Sequence, residues 1–366
     1  MSGVYIHVPL CHSKCAYCDF YSRPSESRHD RICNAIAAEF SLRRHELDAD
    51  PAIRTLYIGG GTPSILSPEN LATSISSIPA GDVTEFTIEV NPEDVTPEKL
   101  AAWRSLGINR VSMGVQSFVD RELEFVGRRH TAADATRAYE LLRDSGFTNI
   151  SLDLIYGLPL QTLESWHYSL DRLLALSPEH FSAYALSYEP GTRLYAMLVN
   201  GKLGPVDDDT VADMYDLLEA QAGEAGFLHY EISNFARPGF HSRHNSSYWD
   251  STPYLGLGPA AHSFDSRLRR YNPSDTTRWL DAVEHGESAA VVDPETDRDR
   301  LADIIFTRLR TAAGLPLALI PDEQREGLLI AAKKIPAGKL VNDGHRLYIP
   351  PKHWLISDSI IRPLLP

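Results

Sequence analysis

Residues 3–18 read Gly3-Val4-Tyr5-Ile6-His7-Val8-Pro9-Leu10-Cys11-His12-Ser13-Lys14-Cys15-Ala16-Tyr17-Cys18. The first six are apolar and β-branched in alternation, which predicts a strand; Pro9, with no N–H to give a ladder, ends it. The strand opens onto a loop with thiols in the pattern Cys-x3-Cys-x2-Cys. Three thiols this close cannot all pair with one another. The fourth, Cys33, stands apart within a helical apolar pattern and reads as a core thiol. Four cysteines in 366 residues exclude a disulfide scaffold. Thiolates suit zinc or an iron–sulfur cluster. Structural zinc asks for a fourth ligand, which His7, His12 or Cys33 would supply. A 4Fe–4S cluster on three thiolates leaves one iron for a small molecule.

Outward from this loop the chain alternates. Strands are predicted over 54–58, 85–90, 109–113, 149–154 and 180–186, and helices over 30–47, from 68, and over 97–106, 132–145 and 163–176. Six strands alternating with helices imply a parallel sheet covered by helices. The expected fold class is α/β, a partial (β/α)6 TIM-type barrel, because the alternation stops short of eight units. The rhythm changes after about residue 189. The domain reading is therefore a barrel over 1–190, an auxiliary segment over 191–290 and a small C-terminal domain over 291–366. Within it, 207–225 is a predicted helix and 230–262 reads as loops with short strands.

Apolar residues make up 43% and charged residues 23%, and Lys+Arg 35 against Asp+Glu 49 leaves a net charge of −14. That composition is that of a globular protein, and the charge disfavours broad binding to nucleic acid or to an anionic membrane surface. No apolar run approaches the roughly 18 residues of a membrane-spanning helix. The first residues lack the features of a secretory leader, so a cytoplasmic location is expected.

Five motifs follow the first strand in order: the cysteine loop, Gly59-Gly60-Gly61-Thr62-Pro63-Ser64, Ile88-Glu89-Val90-Asn91-Pro92, Ser112-Met113-Gly114-Val115-Gln116-Ser117 and Asp153-Leu154-Ile155-Tyr156-Gly157-Leu158-Pro159. Together they resemble the radical SAM superfamily, and within it the oxygen-independent coproporphyrinogen III oxidase-like group. The oxidase proper is expected to carry a further cysteine two residues after the third; here that position is Phe20. Phe20, with His244-Asn245-Ser246-Ser247-Tyr248-Trp249, is similar to the HemW branch, whose members bind haem and are regarded as haem chaperones. One departure is Ala260, where the pattern has a glycine before Ala261, and alanine is less free at positive φ.

The resemblance implies that Cys11, Cys15 and Cys18 ligate a 4Fe–4S cluster and that S-adenosylmethionine (SAM) chelates its remaining iron, where an electron cleaves the sulfonium to a 5′-deoxyadenosyl radical. It places Tyr5, Tyr17, Gly60, Gly61, Thr62, Glu89, Gln116, Arg128 and Asp153 around the cofactor. No catalytic residue is assigned. For haem, the histidine candidates are His241, His244 and His262, with His244 first because it opens the matched motif. The implied function is to hold haem and pass it to a membrane-associated acceptor protein; a homodimer is one arrangement haem binding allows. Whether the chain is also an enzyme stays open: the alternative is oxidative decarboxylation of coproporphyrinogen III, and a third reading is a zinc-bound scaffold. Taken singly, Gly59–Gly61 is an ordinary turn, Glu89 and Asp153 are ordinary carboxylates, and the histidines are ordinary packed or exposed side chains.

Overall fold

Side-chain alternation within each strand sets the architecture. In the computed structural model, which describes residues 2–24, 28–47 and 51–366, six parallel strands run side by side: β1 (Ser2–Val8), β2 (Ile53–Gly60), β3 (Glu85–Val90), β4 (Arg110–Gln116), β5 (Ile150–Tyr156) and β6 (His180–Ala185). One face is apolar. Val4, Ile6, Leu56, Ile58, Phe86, Ile88, Val111, Met113, Leu152, Leu154 and Phe181 are buried in one cluster with helix residues such as Ile32, Ile36, Trp103, Leu142 and Trp166. Each such side chain contributes about 1.5–3 kcal/mol relative to exposure. These helix residues lie on or just beside α1 (His29–Arg43), α2 (Pro68–Ile75), α3 (Pro97–Ser105), α4 (Asp120–Phe125), α5 (Ala132–Asp144) and α6 (Leu163–Leu176), which follow the strands in turn.

The other face is polar. Tyr57 donates to Glu89, Ser112 to Asp153, and Ser151 bonds His180, each across neighbouring strands. Strands of a parallel sheet covered on both faces normally read as continuous apolar runs; here the concave side holds ionisable groups that must satisfy one another away from water.

The six-stranded core expected from the sequence is present, and strands after residue 189 extend it into a twelve-stranded sheet. α7 (Arg193–Val199) and α8 (Asp208–Glu224) lead to an antiparallel hairpin, β7 (Leu228–Glu231) and β8 (Asn234–Ala236), which adds to β6. After α9 (Arg243–Asp250), β9 (Tyr254–Leu257) lies parallel to β1 on the other edge, in register from Gly3↔Tyr254 to Ile6↔Leu257. β10 (His262–Phe264), β11 (Arg269–Tyr271) and β12 (Val291–Asp293) continue outward, antiparallel. The order is β12-β11-β10-β9-β1-β2-β3-β4-β5-β6-β8-β7, so the barrel is open. Edge strands carry unpaired backbone groups, and the later segment covers those of β1 and β6. Beyond α10 (Thr276–Glu284) and α11 (Asp297–Arg308), the chain forms a three-stranded sheet of β13 (Leu315–Pro316), β14 (Val341–Asn342) and β15 (Arg346–Tyr348), with α12 (Asp322–Ala332) between β13 and β14.

A buried ion pair ties β9 to the core. Arg43 at the end of α1 donates to Glu39 (2.8 Å), to the Gly256 carbonyl (3.0 Å) and to Ser263 (2.9 Å). Glu39 also accepts from the Gly258 amide and the Trp279 indole. Next to this network Ala260 stands at φ +63°, so the expected local tension at this departure is present. A left-handed alanine costs about 1–2 kcal/mol, part of which a glycine returns through its freer unfolded chain. Ala260→Gly is expected to stabilise the fold by about 0.5–1 kcal/mol, read as a rise in Tm by calorimetry; a fall would show that the methyl group packs usefully.

Candidate functional site

The carboxyl ends of the parallel strands surround a cavity of about 400 Å³. Of the residues singled out in the sequence, Cys11, Cys15, Cys18, Tyr17, Gly60, Gly61, Thr62, Glu89, Gln116, Arg128 and Asp153 all line it. Tyr5 lies below, its ring tilted against Tyr57 with centres 6.1 Å apart.

The cysteine loop is held by its backbone. The Ala16 amide donates to the Val126 carbonyl (2.8 Å), just after α4, and the Ala16 carbonyl accepts from Leu194 of α7 (2.9 Å). Its thiols face polar donors: Thr62 Oγ1 donates to Cys11 Sγ (3.4 Å), and Arg128 Nη1 to Cys15 Sγ (3.6 Å). Burial, with the neighbouring Cys15 and Cys11, pushes the Cys18 thiol up to about 11, against a backbone donor at Phe20.

At the end of β2 the chain must pass tightly over the loop. Gly60 sits at φ +109°. A Cβ on Gly61 would fall 2.5 Å from the Leu10 carbonyl and 3.0 Å from Cys11 Sγ. Glu89 holds this turn, accepting from the Gly60 amide (3.0 Å) and from Tyr57 OH (2.7 Å). Burial, reinforced by Asp153 and opposed mainly by the Tyr57 hydrogen bond, pushes Glu89 up to about 7. Asp153 is also raised, by burial above all, although Ser182, Arg110 and Ser112 favour its charge.

Gln116 reaches the cavity through an irregularity at the end of β4, where the register shifts between Gly114 and Gln116 and Gln116 takes φ +69°. Arg128 is fixed by Asn91 Oδ1 (2.8 Å) and the Gly114 carbonyl (2.6 Å), while its buried Nε has no partner. Asn91, Tyr184 and Phe20 also line the cavity and were not singled out for it; Asn91 stands inside the third motif, the one signal that could have found it.

His244 does not line the cavity. It has no exposed surface and lies on α9 beneath the cavity. Its Nδ1 bonds Thr55 Oγ1 and its Nε2 bonds Tyr248 OH, both at 2.8 Å. Both ring nitrogens are thus engaged inside the barrel. His241, stacked on Tyr230, and His262 are exposed.

Residues 5–173 match the model of the Radical SAM superfamily. The chain is 37% identical over 322 residues to "Heme chaperone HemW" of Bacillus subtilis (strain 168), covering 86% of this chain and 85% of that protein. It is 36% identical over 372 residues to the protein of the same name from Mycobacterium tuberculosis (strain ATCC 25618 / H37Rv), covering 99% and 94%. A bovine relative, "Radical S-adenosyl methionine domain-containing protein 1, mitochondrial", is 34% identical, covering 86% and 74%. Among solved structures, coproporphyrinogen III oxidase (HemN) from Escherichia coli, a radical SAM enzyme, superposes with a TM-score of 0.83 over 100% of this chain and 90% of that one. Its identity is 23%, so the likeness is one of fold.

Proposed function

Because the chain belongs to the radical SAM superfamily and, within it, to the HemW family, we propose that it binds a 4Fe–4S cluster through Cys11, Cys15 and Cys18, SAM in the adjoining cavity, and haem, which it passes to a membrane-associated acceptor protein. The observation that carries this reading is the convergence of the three cysteines, the Gly60–Thr62 turn and the carboxylates Glu89 and Asp153 on one cavity.

The residues present suit these groups. Among the described residues no three His, Cys, Asp or Glu side chains converge on a single ion; a cubane held by three thiolates, each on its own iron, asks for no such convergence. The room above Gly61 admits no side chain, and the unpartnered Arg128 Nε points to a missing acceptor. Bound together, cluster and SAM supply one-electron chemistry at the sulfonium. The chain's own part is to orient the ligand. Glu89 and Asp153 would meet its positive charge, Arg128 and Gln116 would suit its carboxylate and hydroxyls, and the Gly60–Thr62 backbone would hold its methionyl end.

For haem, the mouth of the cavity offers Phe20, 64% exposed, with Ile155, Tyr184 and Leu186 as an apolar wall and Lys14 as a partner for a propionate. A macrocycle of this kind binds by area and stacking. Among the described residues no helix is long and apolar enough to cross a membrane, so on this reading the acceptor is met at its surface.

The test uses anaerobically purified, reconstituted protein. Hemin titration is expected to give a saturable Soret change, and Phe20→Asp to weaken haem binding by about tenfold or more, as a charge placed in an apolar contact does. Absence of a saturable change would remove the haem reading. Anaerobic conversion of coproporphyrinogen III to protoporphyrinogen would replace it with the oxidase.

A further inference from the structure

The His-Asn-x-x-Tyr-Trp motif does not reach the cavity, yet it is built into the barrel from below. Glu85, at the start of β3, accepts from the first two amides of α9, Arg243 (2.8 Å) and His244 (2.8 Å). Gly3 makes room for the ring: a Cβ there would lie 2.6 Å from Thr55 Oγ1 and 3.1 Å from His244 Nδ1.

The imidazole stacks on Tyr57 (centres 5.1 Å apart, planes 25° apart) and, more distantly, on Tyr5 (6.4 Å, 30°). Each tyrosine is the base of an arm, one ending at the cavity and the other just past the cysteine loop. Tyr57 OH donates to Glu89, which accepts from the Gly60 amide with its other oxygen. Tyr5 OH bonds His7 Nδ1 (3.0 Å), and His7 Nε2 bonds the carbonyl of Tyr21 (2.8 Å), just past the cysteines. A carbonyl only accepts, so His7 Nε2 carries the proton and Nδ1 accepts from Tyr5. Burial keeps the His7 imidazole neutral, as this chain of bonds requires.

We propose that the motif is the underside support of the SAM and cluster sites, and that His244 is a positioning residue that sets Tyr57, and through it Glu89, rather than an iron ligand. This rests on the reading of the cavity as a SAM site. A hydrocarbon ring in place of His244 would leave the hydroxyls of Thr55 and Tyr248 unpaired in the barrel, the costly way to lose a hydrogen bond. Burial, with the Arg110 charge adding, lowers the imidazole to about 3, so it works as an uncharged plate with one donor and one acceptor.

The experiment compares full-length reconstituted wild type, Tyr57→Phe, His244→Ala, His244→Gln and the Tyr57→Phe/His244→Ala double variant. SAM affinity is read by calorimetry, its effect on the reduced cluster by EPR, and haem by the Soret band. Tyr57→Phe and His244→Ala are each expected to weaken SAM by about tenfold, the worth of one buried hydrogen bond. Their losses are expected to combine to less than their product, because both act on one path. His244→Ala should change the SAM-dependent EPR line shape, His244→Gln should recover most of the loss, and haem stoichiometry should stay at the wild-type value in both. Multiplicative losses, or unchanged SAM affinity in His244→Ala, would overturn the proposal; so would loss of the Soret band in that variant. If His244→Ala does not fold by circular dichroism, Thr55→Val, which frees Nδ1 alone, decides: about threefold weaker SAM supports the path and wild-type affinity sinks it. Wild type that fails to bind SAM would instead reject the site reading beneath it.

Discussion

Cys15→Ala is expected to empty the protein of its cluster while leaving the fold standing. Iron and acid-labile sulfide should fall from about four each per chain to near zero, together with the brown visible absorbance and the EPR signal of the reduced state. SAM affinity should collapse with them, because the iron that chelates the ligand is gone. The fold should survive because Cys15 is half-buried at the rim of the cavity and makes no core contact. Its loop is held instead by Ala16, 1% exposed and hydrogen-bonded to Val126 and Leu194. Cys33→Ala is the control. Cys33 is fully buried in the α1 core, so its loss should lower Tm and leave iron content unchanged. A Cys15→Ala protein that still loads a full cluster would remove the ligand assignment.

Glu89→Gln should have the second large effect, and a pH signature goes with it. A folded value of about 7 against an ordinary 4.5 means that the ligand-free protein keeps a proton the unfolded chain gives up. Between these two values the folded state binds more protons, so Glu89 lowers stability progressively as pH rises through that window and costs nothing below it. A positively charged ligand reverses the preference and selects the carboxylate. SAM affinity should therefore rise by up to about tenfold per pH unit below pH 7 and level off above it. The ionisable groups acting most strongly on Glu89 are Tyr57, Asp153 and Arg110, with Tyr5, Tyr184 and Tyr248 also interacting with it. In Glu89→Gln the profile should be flat and the affinity above pH 7 lower by about 10–100-fold, the worth of a charged hydrogen bond. Calorimetry across this range checks both; a slope that persists in the variant would assign the titration elsewhere.

The core of this architecture was legible because it is local. Each of the first six strands is a run of β-branched and apolar residues between turn signals, and the odd thiol count in the first loop excludes pairing without any knowledge of the fold. Glu89 and Asp153 were legible only through the motifs that carry the family resemblance, and Asp153 stands in the middle of β5. The surroundings of His244 were not legible, since its partners Thr55, Tyr57 and Tyr248 come from two separate elements and only the folded sheet brings two of them against it. From the sequence, His244 stood out only because it opens the matched motif. The sheet extension was hidden for a related reason: β8, β10, β11 and β12 are three residues each, too short for periodicity to show. The left-handed Gln116 had no local marker, whereas Ala260 was visible only against the pattern of relatives.

The pairing of β1 with β9 carries a cost in time. β1 is translated well before its outer neighbour and the helix that fills the space beneath the cavity, which lie far downstream in the sequence. Until then the nascent sheet has one naked border and a wet, charged interior, and contacts so distant in sequence are slow to form. The cysteine loop, which directly follows β1, therefore gains the support of α9 late in folding.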